Sequence, residues 1–121
     1  MTAAQIPLVV VTLLTAACNV GIAVADLTGA RFVLANSAEV GVPRSWLPWL
    51  ATLKLAGAAG LLLGLFDAAL RPLGIAAACG LVLLYLGALI FHLRAHMLYN
   101  LAFPGFYFAT AVASLALTVS S

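Results

Sequence analysis

Charge is scarce in this sequence. Five Lys or Arg and three Asp or Glu are the only ionised side chains at neutral pH, 7% of 121 residues, against about 25% in an ordinary soluble domain. A chain this poor in ions cannot clothe a water-facing globule. No run of Lys and Arg occurs, and the formal net charge is only +2. The clustered basic surface that nucleic-acid binding requires is therefore missing, and no nucleic-acid partner is expected. Cysteine is nearly absent as well. Cys18 and Cys79 both lie in apolar stretches without CxxC spacing, which argues against a disulfide framework and a thiolate zinc site. Their depths in a membrane would differ by roughly 8 Å, beyond comfortable disulfide reach. Both read as small buried hydrophobes.

What the chain has instead is apolar length. Hydrophobic residues make up 66% of it, and the mean hydropathy is +1.24. A membrane-spanning helix takes about 20 mostly apolar residues. Four such stretches are present, at about residues 6–25, 46–66, 72–91 and 101–119. The expected fold class is all-α: a polytopic membrane protein, a single domain over 1–121, built as an up-down bundle of four transmembrane helices. Pro7, Pro48 and Pro72 fall in first turns, where proline is tolerated. Ser45 is a candidate N-cap for the second span, and Pro104-Gly105 a candidate bend in the fourth. Thr15-Ala16-Ala17-Cys18 faintly resembles a lipoprotein cleavage site. No Lys or Arg precedes it and the apolar run continues beyond it, so it reads as part of a retained span.

The connections differ in kind. Asp67 to Arg71 is tight, which makes the second and third spans antiparallel neighbours. Residues 26–44 form the longest and most polar connection, holding Asp26, Arg31, Asn36, Glu39 and Arg44. Asn36-Ser37 is a candidate cap for one short helical turn on the membrane surface. This stretch is the natural lid or partner-binding element. Arg31, Arg44 and Arg94 lie on one side and Arg71 on the other, so loops 26–44 and 92–100 are expected in the cytoplasm. Trp46 and Trp49 stand where an aromatic belt would sit.

Lys54 is the most informative residue. It lies about eight residues into the second span, roughly 12 Å deep. A mid-span lysine costs about 2.5–3.5 kcal/mol to insert, so something must offset it. One reading is snorkelling, because helical side chains tilt toward the N-terminus, here the interface. The other is an ion pair or ligand contact inside the bundle. Asp26 ends the first span against an unfavourable helix dipole, and Lys54 or Arg31 could relieve it. Glu39 has Arg44 within reach or stays solvated. Asn19, Tyr85 and Tyr107 stand at about the depth of Lys54 on the other three spans, whereas the opposite half offers little beyond hydroxyls such as Thr12 and Thr15. A polar layer beneath the longest connection reads as a pocket open toward it. Its candidate ligand-binding residues are Lys54, Asn19, Tyr85, Tyr107, Asp26 and His92, with none assigned as catalytic. For each tyrosine alone, the plainer reading is an interfacial aromatic facing lipid.

His92 and His96 would share a helical face if the third span runs that far. That spacing suits a metal or haem, but no carboxylate or cysteine stands nearby to complete a site, and neither is expected. Gly57, Gly60 and Gly64 line the second span, and Gly80 and Gly87 the third. They are candidates for close helix packing within the chain or between subunits, and a homo-oligomer is expected.

The stretches from Val42 to Phe66 and from Arg71 to Ala95 resemble the DoxX-like membrane proteins. Val42-Pro43, Lys54-Leu55-Ala56-Gly57, Pro72-Leu73-Gly74 and His92-Leu93-Arg94 carry the resemblance, which covers about residues 40 to 118 well and the first span loosely. It implies a four-helix membrane bundle and, from the family's founding association with a thiosulfate:quinone oxidoreductase, a redox-enzyme partner. Related proteins often carry an acidic residue where Lys54 stands. The first functional reading is a bacterial inner-membrane accessory or scaffold subunit. It would hold a lipid or other apolar ligand, with the Lys54 ammonium on an anionic head group. The alternative is a quinone-linked oxidoreductase component, with Tyr85, His92 and Lys54 hydrogen-bonding a quinone. A third is a small-molecule transporter formed by an oligomer.

Overall fold

The computed structural model describes residues 2–121. Its long elements are α1 (Ile6–Thr28), α2 (Arg31–Val40), α3 (Leu47–Phe66), α4 (Arg71–Arg94) and α5 (Ala102–Ser120). No strand occurs among the described residues. Proline marks where three of these helices begin: Pro7, Pro48 and Pro72 occupy the first two positions of α1, α3 and α4. There the missing N–H has no intrahelical partner to lose. Four helical stretches among the described residues, all but α2, are long and apolar enough to cross a membrane.

The four long helices form a ring, α1 beside α3, α3 beside α4, α4 beside α5 and α5 back against α1. Its interior is made of small side chains. Ala23, Ala51, Ala78 and Ala111 are fully buried, with Leu61 and Leu81 filling the space between them. Large side chains point the other way: Phe66, Leu83 and Trp49 are 81%, 68% and 74% exposed. That inversion is what lipid as solvent produces, because acyl chains are as apolar as leucine and close backbone approach drives the packing. The closest approach joins α3 to α4. A Cβ added at Gly64 would lie 2.8 Å from Gly74 Cα, and one at Gly60 would lie 2.6 Å from Ala77 Cβ. Gly57 faces the Leu81 side chain.

Gly80 and Gly87 do not mediate helix packing within the chain, since a Cβ at either would meet nothing within 4 Å. Gly80 is exposed and Gly87 half-buried. Cys79 is exposed rather than buried, and Cys18 is half-buried; both are free. Ser45 caps nothing, because it sits inside a 3-10 turn (Arg44–Trp46) that precedes α3. The 26–44 stretch is mostly helix, not loop. α1 runs on to Thr28, and Asn36 and Ser37 lie within α2 instead of capping it.

The ends of α2 explain this. Gly29 (φ 67°) and Gly41 (φ 79°) both adopt the left-handed conformation. Each closes a Schellman motif: Ala30 N–H donates to Ala25 O, and Val42 N–H to Ser37 O. Glycine reaches that conformation without steric cost and so ends a helix sharply. Val33, Ser37 and Val40, spaced 4 and 3 apart, form the buried face of α2, which lies across the end of the bundle as a strap.

Candidate functional site

Asp26 and Asn19 are seven residues apart on α1, hence on one face of the helix, and that face looks into the bundle. Asp26 is 5% exposed and Asn19 fully buried. Across from Asp26 stands Lys54 of α3. Its Nζ donates to Asp26 Oδ2 at 2.6 Å, with the two side chains 11% and 3% exposed. Of the two readings of Lys54, the ion pair is the one found. It also answers the dipole problem at the end of α1, since the cation beside Asp26 is Lys54 and not Arg31.

Two turns deeper, the Tyr85 hydroxyl donates to Asn19 Oδ1 at 2.5 Å, and Asn19 Nδ2 donates to Thr15 O at 2.8 Å. Tyr85 stacks on Tyr107 with ring centres 5.2 Å apart, and the Tyr107 hydroxyl makes a long contact to Cys18 O at 3.4 Å. Tyr85 is therefore a core residue rather than a lipid-facing aromatic. Below this layer, Thr15 Oγ1 and Ser114 Oγ lie 2.9 Å apart and join α1 to α5, as polar side chains commonly do between membrane helices.

The strap is tied down by side chains outside the spans or at their ends. His92 is 2% exposed. Its Nδ1 lies 2.8 Å from Ala88 O, and its Nε2 lies 3.1 Å from Asn36 Oδ1 on α2. Asn100 Nδ2 donates to the same Asn36 oxygen at 2.7 Å. The Tyr99 hydroxyl donates to the Glu39 carboxylate, so Glu39 is bound to Tyr99 and not to Arg44. That hydrogen bond is the main reason the Tyr99 phenol is pushed above its ordinary value of 10.0. His96 shares no face with His92. α4 stops at Arg94, and His96 takes the left-handed conformation (φ 56°) in the Schellman motif that ends the helix.

Between the strap and the tyrosine layer lies a cavity of about 410 Å³. Asp26, Lys54, Tyr85, His92 and Tyr107 reach it, while most of its wall is apolar, from residues such as Ile22 and Leu47. Five of the six candidate residues thus converge on one space. The exception is Asn19, which sits behind Tyr85 and orients it.

The family model for DoxX-like proteins matches residues 10–114. The chain belongs to the DoxX-like family. The match takes in most of α1 and all of α2, α3 and α4, and ends within α5. With four apolar helices of spanning length, this DoxX-like chain is an integral, multi-pass membrane protein. No curated protein and no solved structure matches it.

Asn100 and Tyr99 make ties that the sequence does not announce, and Asn36 bonds from within α2 instead of capping it. A signal for α2 was available: two glycines twelve residues apart bracket a buried stripe at helical spacing. The polar ties made by Asn36, Tyr99 and Asn100 had no such signal, because they depend on which loop lands beside which.

Proposed function

We propose that this DoxX-like protein is a non-catalytic accessory or scaffold subunit of a bacterial inner membrane. In this role it holds a lipid-like ligand in the cavity beneath α2. One observation carries the reading: a mostly apolar space of about 410 Å³ has a buried ion pair on its wall and a helix strapped across it. Apolar pockets with a few convergent polar groups are the usual form of small-molecule sites. The quinone reading draws less support. Two of its three donors, Tyr85 and His92, are already engaged with Asn19 and with Ala88 and Asn36, which leaves it Lys54. In the same proposal the strap end faces the cytoplasm, carrying Arg31, Arg44 and Arg94 against Arg71. The protein assembles as a homo-oligomer, with membrane lipids and a redox enzyme as partners.

The test is mass spectrometry of the gently extracted protein, which reports stoichiometry and bound small molecules together. Copurifying amphiphile is expected on the native protein and lost from a folded Asp26→Leu/Lys54→Met variant. The same adducts on both proteins would overturn the reading.

A further inference from the structure

The ligand-holding role proposed above leaves open which amphiphile is held and how it reaches the cavity. The cavity's electrostatics address the first point. Lys54 is its buried cation, and Asp26 neutralises it at 2.6 Å. An anionic head group would find no unpaired cation on the wall. A cationic one would find Asp26 taken and Glu39 bound to Tyr99. What remains on offer is mixed hydrogen bonding. The Lys54 ammonium has two further N–H donors, and among the described residues Asp26 Oδ1 accepts from no other side chain. A donor and an acceptor side by side suit a hydroxyl, which gives one bond and takes one.

Size and topology address the second point. At about 30 Å³ per water-sized group, the 410 Å³ cavity holds a head group and the start of a chain, not a whole lipid. The remaining chain must leave through the wall. Part of the rim is closed by backbone contact or polar ties, where α2 runs against α1 and α4 and where Asn36 and Glu39 are bound. Toward α5 the closure is different. No Cα of α2 comes within 8 Å of one in α5. The gap is bridged by the rings of Phe32 and Phe103, edge to face at 6.1 Å. Both rings line the cavity and both are about half exposed, 55% and 45%.

We propose that the cavity draws an uncharged, hydroxyl-bearing amphiphile directly from the bilayer through the α2–α5 gap, with Phe32 and Phe103 as its door. The head group settles on the Lys54–Asp26 pair, and the chain trails between the two rings into lipid. The turn at Gly29 and the buried Val33 hold the start of α2 against α1, so the door opens by rotation of the two rings and not by movement of the helix.

The experiment uses the full chain in phosphatidylcholine nanodiscs containing either dioleoylglycerol or dioleoylphosphatidic acid. Bound lipid is read by native mass spectrometry. Retention of dioleoylglycerol over the anionic lipid is expected, and equal or greater retention of phosphatidic acid overturns the assigned head group. For the door, Phe32→Cys and Phe103→Cys are introduced into a Cys18→Ala/Cys79→Ala background and joined by a short bismaleimide after loading. Exchange of bound dioleoylglycerol for an isotope-labelled copy should slow at least about tenfold relative to the same variant without the cross-link. Exchange at an unchanged rate overturns the door and leaves the cavity reading standing. Absence of any adduct from the native protein overturns both.

Discussion

Removing either partner of the Lys54–Asp26 pair should damage the protein far more than removing both. At 2.6 Å and an effective dielectric constant of about 20, the attraction between two unit charges is about 6 kcal/mol. Desolvation costs several kcal/mol for each ion, so the pair as a whole contributes little net stability. A single substitution breaks that cancellation. Lys54→Met leaves a carboxylate 3% exposed with no cation against it, and Asp26→Leu leaves the ammonium equally alone. Each should cost about 3–5 kcal/mol. The Asp26→Leu/Lys54→Met double variant removes both ions and should fall within about 1 kcal/mol of the native protein, or exceed it. Equilibrium unfolding in mixed micelles, with all four proteins of the cycle measured together, gives the coupling energy directly. A double variant that loses the sum of the two single losses would refute the reasoning, because the two side chains would then be contributing separately.

The glycines should divide sharply. Gly64→Ala must push α3 away from the Gly74 backbone and should cost about 1–3 kcal/mol by the same unfolding assay, whereas Gly80→Ala, with open space around it, should be neutral or stabilise by up to about 1 kcal/mol; equal effects would contradict the packing described. Tyr85→Phe strands Asn19 Oδ1 in the core and should cost about 1–3 kcal/mol, and a loss below experimental error would show that Asn19 finds another donor. Tyr99 should ionise above its ordinary 10.0 in an ultraviolet absorbance titration. Because the folded state raises this value, the tether is intact below pH 10.0 and is lost as pH rises through the raised value; Glu39→Ala should return the titration to the ordinary range. Replacing His96, at φ 56°, with glycine should raise stability by about 0.5–1 kcal/mol, and a loss would assign the imidazole a contact of its own.

The architecture was legible because the bilayer imposes a coarse requirement. About 20 apolar residues per span can be counted without knowing any neighbour, and proline in three first turns sharpened the boundaries. The polar layer was legible for a related reason. Depth along a helix is proportional to residue number, so Lys54, Asn19, Tyr85 and Tyr107 could be placed at one level. Azimuth is harder. The sequence did not reveal that Asn19 would turn behind Tyr85 or that Gly80 and Gly87 would have open space around them, because the apolar spans carry almost no contrast between one face and another. The strap is legible only where Gly29 and Gly41 are read as helix ends. The ties at Asn36, Glu39, Tyr99 and Asn100 join segments about 60 residues apart, and no local pattern encodes such a meeting.

The ion pair also bears on biogenesis. Asp26 and Lys54 are 28 residues apart, so the ribosome delivers the carboxylate well before its counter-charge. During that interval α1 carries an unneutralised acid near one end, and a shallower placement of the helix is the expected outcome. Arrival of α3 should supply the missing cation and let both ions sink together, coupling the seating of the first span to the synthesis of the next. Depth-sensitive glycosylation mapping of nascent chains stopped before and after Lys54 would read this as a shift of α1, and an unchanged position would show that the first helix seats alone.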